Sequence, residues 1–238
     1  MSAPPFMARI ERLEEKLNIE FKSINLLKEA LTHRSYRNEH PDWPFPQNER
    51  LEYLGDAVLE LVVSEALFER YPSFQEGRLT SLRAALVNYQ MLAKVAHTMT
   101  IEEYLFLSRG ESRDQGKARE VILANAVEAV LGAIYLDQGY QHVKEVIEAF
   151  VLSRLGEVLE KELYRDPKSV LQEIIQERHK ITPTYRLLET DGPDHNKRFL
   201  MGAYIGERQV SIGRGASKQE AEAAAAQAAL AEWEREEK

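Results

Sequence analysis

The chain has 238 residues, of which 44% are hydrophobic and 29% are charged, and this composition argues against wholesale disorder. No apolar run approaches the roughly 18 residues that a membrane span needs, and the first ten residues lack the apolar block of a secretory signal. The absence of cysteine excludes disulfides and thiolate metal sites, so we expect a cytoplasmic protein with no membrane partner.

The net charge of −8 counts against a nucleic-acid partner only if the charge is spread evenly along the chain. Residues 1–165 carry 20 basic and 26 acidic side chains, whereas residues 166–218 carry 9 basic and 7 acidic ones. The acidity of the C-terminal part is therefore concentrated in its last helix and tail. A local basic surface is allowed between 166 and 218.

Helical periodicity opens the chain, and a loop rich in proline at 41–46 then leads to a helix predicted at 48–70. That helix is apolar on two opposite sides, which predicts burial on both. Glycine inside a helix costs about 1 kcal/mol relative to alanine. The presence of Gly55 therefore indicates close approach by another backbone.

Three acids share one face of this helix at spacings of three and four residues: Glu49, Glu52 and Asp56. The same face continues into apolar side chains instead of a solvated surface. We therefore expect the acids to lie at the mouth of a cleft.

A second strongly apolar helix is predicted to begin near residue 119. Its face with Asn125 and Glu128 continues into Ala129 and Gly132, small residues that allow close packing against a neighbouring helix. The segment 140–163 is predicted to be the last long helix of this part. We place a domain boundary near residue 164, so that an all-α domain occupies 1–164.

The C-terminal part, 165–238, changes period. A helix at 168–179 is followed by alternating apolar pairs that predict three strands, and a capping box at 217–220 precedes an alanine-rich helix. The strand pairs are Tyr185 and Leu187, Phe199 and Met201, and Val210 and Ile212. The predicted order is α-β-β-β-α, an α+β domain.

Clustered carboxylates that are partly removed from water need a compensating positive charge. Oxygen ligands without cysteine favour Mg²⁺ or Mn²⁺, and such sites serve phosphoryl chemistry. The alternative is that the acids form salt bridges with Arg50, Arg83 or Arg119. The spacing of the acids alone does not decide between a metal site and salt bridges.

Three motifs in order resemble those of bacterial ribonuclease III. NERLEYLGDAVL at 48–59 resembles the defining motif of that family, and ILANAVEAVLGAIYLD at 122–137 resembles its second catalytic segment. Residues 166–234 resemble its double-stranded RNA-binding domain through DPKSVLQE, the GPDH turn and SKQEAEAAAA. The resemblance covers nearly the whole chain and implies a multi-domain protein, a ribonuclease III endonuclease domain followed by that RNA-binding domain.

The resemblance implies a homodimeric endonuclease that cleaves double-stranded RNA in rRNA and mRNA processing. It implies Mg²⁺ dependence, with Mn²⁺ able to substitute, and 5′-phosphate and 3′-hydroxyl ends with two-nucleotide 3′ overhangs. Another interpretation is an all-helical oligomerisation protein without an RNA partner, but it leaves the second domain unexplained.

Residue by residue, the resemblance assigns metal binding to Glu52, Asp56, Asn125 and Glu128. Asp56 and Glu128 are the expected catalytic residues. Glu49 and Glu76 match acids that line the catalytic cleft, and Glu49 can also serve the dimer.

Asn125 departs from the family, which usually has aspartate at this position. An amide oxygen can coordinate Mg²⁺ but brings no charge, so we expect weaker metal binding and not an absent site. We favour a natural variant that works at higher metal concentration, over an introduced substitution or a natural loss of activity. The alternative function is a catalytically weak or inactive double-stranded RNA-binding protein.

RNA recognition by shape is implied for the second domain. The resemblance assigns it to Gln172, Glu173, Gln176, His195 and Lys218. Without the resemblance, we would interpret His195 as a turn histidine whose hydrogen bonds are made within its own loop, and Lys218 as a solvated helix residue. Gln219 stands where the family usually has a second lysine, so phosphate affinity is expected to be reduced.

Overall fold

The computed structural model describes residues 5–113, 115–193 and 197–236. The chain folds into two compact units, Met1–Tyr164 and Arg165–Lys238. The described α-helices of the first unit are α1 (Pro5–Leu17), α2 (Ile24–Ala30), α3 (Arg34–Glu39), α4 (Glu49–Arg70), α5 (Glu76–Val87), α6 (Tyr89–Met99), α7 (Lys117–Gln138), α8 (Tyr140–Phe150) and α9 (Leu155–Glu160). Short 3₁₀ turns lie at Ile101–Glu103, Glu111–Arg113 and Leu152–Arg154. The prediction of an all-α class for this unit is confirmed.

The core of the first unit is built around α4 and α7, which pack against each other more extensively than any other described pair of helices. A Cβ atom added to Gly55 would overlap the carbonyl oxygen of Glu128, and one added to Gly132 would overlap the carbonyl oxygen of Leu51. The two backbones therefore touch where the glycines face each other. The close approach predicted from the small residues is confirmed.

The predicted long helix at 140–163 is wrong, because the structure breaks it into α8, a 3₁₀ turn and α9. Phe150, Val151 and Leu152 are three consecutive apolar residues, and a continuous helix would direct them to three different sides. The turn allows both Val151 and Leu152 to be buried. Burial in the core thus overrides the helical continuation.

The second unit has the predicted α-β-β-β-α order among its described residues. It consists of α10 (Pro167–His179), β1 (Thr184–Asp191), β2 (Arg198–Ile205), β3 (Arg208–Gly215) and α11 (Lys218–Glu236). The strands form one antiparallel sheet in the order β1-β2-β3. Asp166 caps α10, since its side chain accepts a hydrogen bond from the Ser169 backbone N–H at 3.2 Å.

A β-bulge at Val210 changes the predicted alternation of β3. Tyr204 pairs with Gln209 while Ala203 pairs with Ser211, so Val210 is the extra residue. Ser211 is buried, and its hydroxyl donates to the Ala225 carbonyl at 2.6 Å, whereas Ile212 is 50% exposed. Val210 and Ile212 therefore do not share the buried face, because the bulge shifts the phase between them.

The alanine-rich face of α11 packs directly on β3. A Cβ atom on Gly213 would overlap backbone atoms of α11, and Ala221, Ala225 and Ala226 are fully buried. Small residues on both elements thus bring the helix close to the sheet. Within the described ranges of both units, no helix has the length and apolar character required to cross a membrane.

Candidate active site and RNA-binding surface

The contact between α4 and α7 brings the predicted acids together. Glu52 and Asp56 lie one turn apart on α4 on either side of Gly55, whose Cα faces the backbone of Glu128. Asn125 precedes Glu128 by three residues, almost one turn, on α7. Two oxygen-bearing side chains of α4 and two of α7, about seventy residues later in the sequence, thus meet where the two helices cross.

Glu128 is the most perturbed carboxyl group of this cluster. Burial raises its pKa to about 8, and repulsion from Asp56 and Glu52 contributes to the same shift. Such a shift indicates a carboxyl group held in low dielectric beside other negative charges. A cation bound there would relieve both effects.

The pKa of Glu52 is raised, first by burial and then by the negative charge of Glu49. The side chain of Asn125 offsets part of this shift by a hydrogen bond to Glu52, and Asp56 raises the pKa further. Because this hydrogen bond favours the ionised carboxylate, the amide of Asn125 acts as its donor. The field of Arg34 also lowers the pKa of Glu52.

The salt-bridge alternative is not what the structure shows. Among the described ion pairs, none joins Arg50, Arg83 or Arg119 to the acids of the cluster. Arg83 donates instead to the hydroxyl of Ser64 at 2.9 Å, and Nη1 of Arg119 is buried without a hydrogen-bond partner. None of these three arginines therefore neutralises the acids of the cluster.

Glu49 lies at the rim of the cluster, with its side chain 50% exposed. It pairs with Arg34 at 3.7 Å and accepts a hydrogen bond from Gln47 Nε2 at 2.9 Å. Sequence reasoning did not assign Arg34 or Gln47 to the site. Helical spacing cannot reveal Arg34, because it belongs to another helix.

Glu76 stands apart from the cluster within its own chain. It is the first residue of α5, is exposed, and accepts a hydrogen bond from the hydroxyl of Thr80 at 3.0 Å. It is not among the charges that shift the pKa of Glu52 or Glu128. The structure of one chain therefore does not bring Glu76 to the four residues at the helix crossing.

The cluster fits a hard divalent cation by the chemistry of its donors, but the donors are not preassembled. Across the described ranges, no group of three or more His, Cys, Asp or Glu side chains is arranged to hold a metal ion. Burial and the negative charges of Asp56 and Glu52 oppose ionisation of Glu128 when no cation lies between them. The donors, carboxylate oxygens and one amide oxygen, are those that Mg²⁺ and Mn²⁺ prefer.

In the second unit, the predicted RNA-contacting residues of α10 lie on its solvent side. Gln172, Glu173 and Gln176 are exposed, while Leu171 and Ile175 are fully buried. The helix therefore presents a polar face that takes no part in the core of this unit.

Lys218 is the first residue of α11 and is exposed. The predicted capping box forms around it: Ser217 Oγ accepts from the Glu220 N–H at 3.2 Å, and the Glu220 carboxylate accepts from the Ala216 N–H at 3.0 Å. The helix start is thus ordered beside Lys218. His195 lies outside the described residues.

Fold and site together define a two-domain protein in which a helical domain with an acidic, nuclease-type cluster precedes an α-β-β-β-α domain. The Ribonuclease-III-like family model matches residues 23–155, and the double-stranded RNA binding motif matches residues 167–232. The chain therefore belongs to the ribonuclease III family of endoribonucleases and carries a double-stranded RNA-binding domain.

Full-length relatives support this assignment. The chain is 43% identical over 224 residues to Ribonuclease 3 of Nitratiruptor sp., which covers 94% of this chain and 96% of that protein. It is 45% identical over 229 residues to Ribonuclease 3 of Chloroflexus aggregans, which covers 95% and 99%. The ribonuclease III nuclease domain from Campylobacter jejuni, a structure that concerns flexibility in a region involved in its dimer formation, superposes with a TM-score of 0.55. It shares 42% identity and covers 60% of this chain and 96% of that one.

Proposed function

We propose that this protein cleaves double-stranded RNA by Mg²⁺-dependent phosphodiester hydrolysis, with Mn²⁺ able to substitute. In this proposal the nuclease domain spans 1–164 and the RNA-binding domain spans 165–238. The products carry 5′-phosphate and 3′-hydroxyl ends with two-nucleotide 3′ overhangs, and the cellular role is rRNA and mRNA processing in the cytoplasm. The observation that carries the proposal is the backbone contact between Gly55 and Glu128, which gathers the acids of α4 and α7.

Glu52, Asp56 and Glu128 would hold the cation through carboxylate oxygens, and Asn125 would add its amide oxygen. When bound, Mg²⁺ would supply Lewis-acid stabilisation of developing negative charge and promote ionisation of the attacking water. Glu128 lies deepest in the cluster and Asp56 is exposed, so the phosphodiester approaches from the Asp56 side. Arg34 at the rim offers a positive charge to the incoming strand.

The experiment that tests this function uses long duplex RNA incubated with the protein and either Mg²⁺ or a chelator. We expect cleavage only with Mg²⁺, and terminal analysis of the products should find the stated ends and overhangs. Binding without Mg²⁺-dependent cleavage would support the alternative, a weak or inactive binding protein. Absence of duplex binding would defeat both.

The alternative function has one observation in its favour. The amide of Asn125 donates a hydrogen bond to Glu52 and so stabilises its carboxylate without a metal ion. This contact makes the ion less necessary for the stability of the site. The remaining acids, Glu52, Asp56 and Glu128, count against loss of activity, since burial and repulsion still favour a cation beside Glu128.

Asn125→Asp is expected to lower the Mg²⁺ concentration for half-maximal cleavage by about tenfold, a change of about 1.4 kcal/mol in binding free energy. The reason is that a fourth carboxylate adds charge at the ion, although it increases repulsion when the ion is absent. The variant should therefore also melt at a lower temperature in chelator and gain more from Mg²⁺ than the parent protein. An unchanged or higher Mg²⁺ requirement would rule out our interpretation of Asn125.

Dimerisation is proposed along α4, which exposes large apolar side chains to solvent. Tyr53 is 82% exposed, Leu61 57% and Phe68 73%, and all three lie on the outer side of the helix. Exposed apolar side chains in such a row are typical of a protein interface. A second copy on this face would give two cleavage centres, one for each RNA strand, and would complete the cleft to which Glu76 is assigned.

Phe68→Glu is expected to convert the protein to a monomer, because a charge at the apolar face opposes burial against a second copy. Sedimentation should report the change in mass, and the yield of double-strand cuts should fall with it. Leu163→Glu places the same charge on another exposed apolar residue and should leave the mass unchanged. A dimer that survives Phe68→Glu unchanged would argue against this face.

Lys218→Ala is expected to weaken duplex RNA binding with little sequence preference. Loss of one phosphate contact should lower the slope of log affinity against log salt by about 1. Binding titrations at several salt concentrations measure both effects. Arg208→Ala, at the turn between β2 and β3, is the matched control and should change neither; an unaltered slope for Lys218→Ala would remove that residue from the RNA surface.

A further inference from the structure

We infer that Thr32 is a positioning residue that fixes the first turn of α4, and with it Glu49 and Glu52. The inference rests on the proposed function for its effect on cleavage, but the contacts that carry it do not depend on metal or RNA. Thr32 lies between α2 and α3, outside the two helices that form the acidic cluster.

The side chain of Thr32 is a fully buried hydrogen-bonding centre. Its hydroxyl donates to the carbonyl of Lys28 at 2.6 Å and accepts from Trp43 Nε1 at 3.1 Å. Its own carbonyl accepts from the backbone N–H of Asn48 at 2.9 Å. One residue thus holds both the middle and the end of the loop that leads into α4.

Aromatic packing fixes Trp43 in the position that this hydrogen bond needs. Its ring lies 5.2 Å from that of Tyr36, 4.6 Å from that of Phe106 and 5.3 Å from that of Phe45. Thr32 is also bridged to Phe106 through parallel backbone pairing. Because the indole is held from several sides, its N–H has a fixed direction.

The start of α4 depends on this backbone contact because the usual side-chain cap is missing. Asn48 is buried at the N-cap position but makes no side-chain capping hydrogen bond. Its carbonyl accepts the first helical hydrogen bond, from Glu52 N–H, at 2.9 Å. Thr32, through Asn48, therefore fixes the position and direction of the first turn of α4, which contains Glu52.

The two ends of the acidic row have different supports. Asp56 is held beside α7 by the contact between Gly55 and Glu128, whereas the turn with Glu52 is held both by the contact of Leu51 with Gly132 and from the side of Thr32. Loosening Thr32 would shift Glu52 relative to Asp56 without separating the two helices. Metal affinity should then fall more than the maximal rate at saturating metal.

Thr32→Val keeps the shape of the side chain and removes the hydroxyl. The hydrogen bond from the Asn48 N–H to the Thr32 carbonyl is a backbone contact and remains, but the loop that ends at Asn48 loses the two hydrogen bonds of the hydroxyl. We therefore expect the amide protons of Asn48 and Glu52 to exchange about tenfold faster. The Mg²⁺ concentration for half-maximal cleavage should rise severalfold, with a smaller change in the rate at saturating Mg²⁺. Thr32→Ser keeps a hydroxyl and should have wild-type amide exchange and a wild-type Mg²⁺ requirement. Trp43→Phe removes the indole N–H that bonds to this hydroxyl and should reproduce the Thr32→Val result.

Thr98→Val is the matched control, because the hydroxyl of Thr98 also donates to a carbonyl one turn earlier and accepts from a distant side chain, Arg154 Nη2. It should leave amide exchange at Asn48 and Glu52 unchanged. Unchanged amide exchange at Asn48 and Glu52 in both Thr32→Val and Trp43→Phe would overturn the inference. If the wild-type protein cleaves normally, an unchanged Mg²⁺ requirement in Thr32→Val would overturn it as well. If the wild-type protein does not cleave duplex RNA, the proposed function fails, and the exchange rates still decide the role of Thr32.

Discussion

Gly55→Ala is expected to destabilise the nuclease domain by about 3 kcal/mol or more, above the usual 1–3 kcal/mol for overpacking, because the obstacle is backbone and not a movable side chain. The new methyl group would overlap the carbonyl oxygen of Glu128, so α4 and α7 must separate. Separation also moves Glu52 and Asp56 away from Glu128. Thermal unfolding should show a large fall in the melting temperature, and Mg²⁺-dependent cleavage should be lost with it.

Gly77→Ala is the matched control for this prediction. Gly77 also lies within a helix, α5, but an added Cβ atom would meet no atom within 4 Å. Alanine there should be neutral or stabilise the protein by about 0.5–1 kcal/mol, since glycine is the poorer helix former. Equal effects of the two substitutions would show that the backbone contact at Gly55 is not critical.

Glu128→Gln is expected to reduce Mg²⁺-dependent cleavage by about a hundredfold or more, the loss typical when one group that stabilises transition-state charge is removed. Duplex binding should remain, because the RNA-binding domain is untouched. In chelator at neutral pH the variant should melt at a higher temperature than the parent protein, since the substitution removes a carboxyl group whose ionisation in the folded state is opposed by burial and by Asp56 and Glu52. Mg²⁺ should stabilise the parent protein more than the variant.

Glu120→Gln serves as the control, because Glu120 is on the same helix but outside the acidic cluster. It should cleave like the parent protein and show the same stabilisation by Mg²⁺. Retention of full cleavage by Glu128→Gln would exclude Glu128 from the metal site. A lower melting temperature in chelator would show that its carboxylate has a structural partner.

Much of the nuclease fold follows from features that repeat along a helix. Spacings of three and four place Glu49, Glu52 and Asp56 on one face, and the isolated Gly55 within an apolar helix indicates a backbone neighbour. The small residues around Gly132 identify the partner helix in the same way. The meeting of Glu128 with the acids of α4 is therefore accessible from sequence once the two helices are paired.

Other features depend on contacts that no local pattern contains. Arg34 reaches Glu49 because the segment after α2 is held at the start of α4, and that depends on Thr32. The break after α8 arises from burial of Val151, and the phase change in β3 arises from the bulge at Val210. In each case tertiary packing decides between conformations that local propensity leaves nearly equal.

The role of Glu76 illustrates a different limit. The resemblance to the family assigns it to the catalytic cleft, yet in one chain its carboxylate accepts a hydrogen bond from Thr80 and does not shift the pKa of Glu52 or Glu128. In the proposed dimer, the second copy would supply the missing surface. Neither sequence spacing nor the structure of one chain contains that contact, which makes the dimer experiment with Phe68→Glu informative for Glu76 as well.

The most direct measurement of the proposed metal centre is anomalous X-ray diffraction from crystals of the protein soaked in Mn²⁺. Mn²⁺ scatters anomalously and takes the same oxygen ligands as Mg²⁺. We predict a peak bounded by Glu52, Asp56 and Glu128, with Asn125 contributing its amide oxygen, and the loss of that peak in Glu128→Gln. Absence of a peak at the crossing of α4 and α7 under saturating Mn²⁺, or an unchanged peak in the variant, would contradict the proposal.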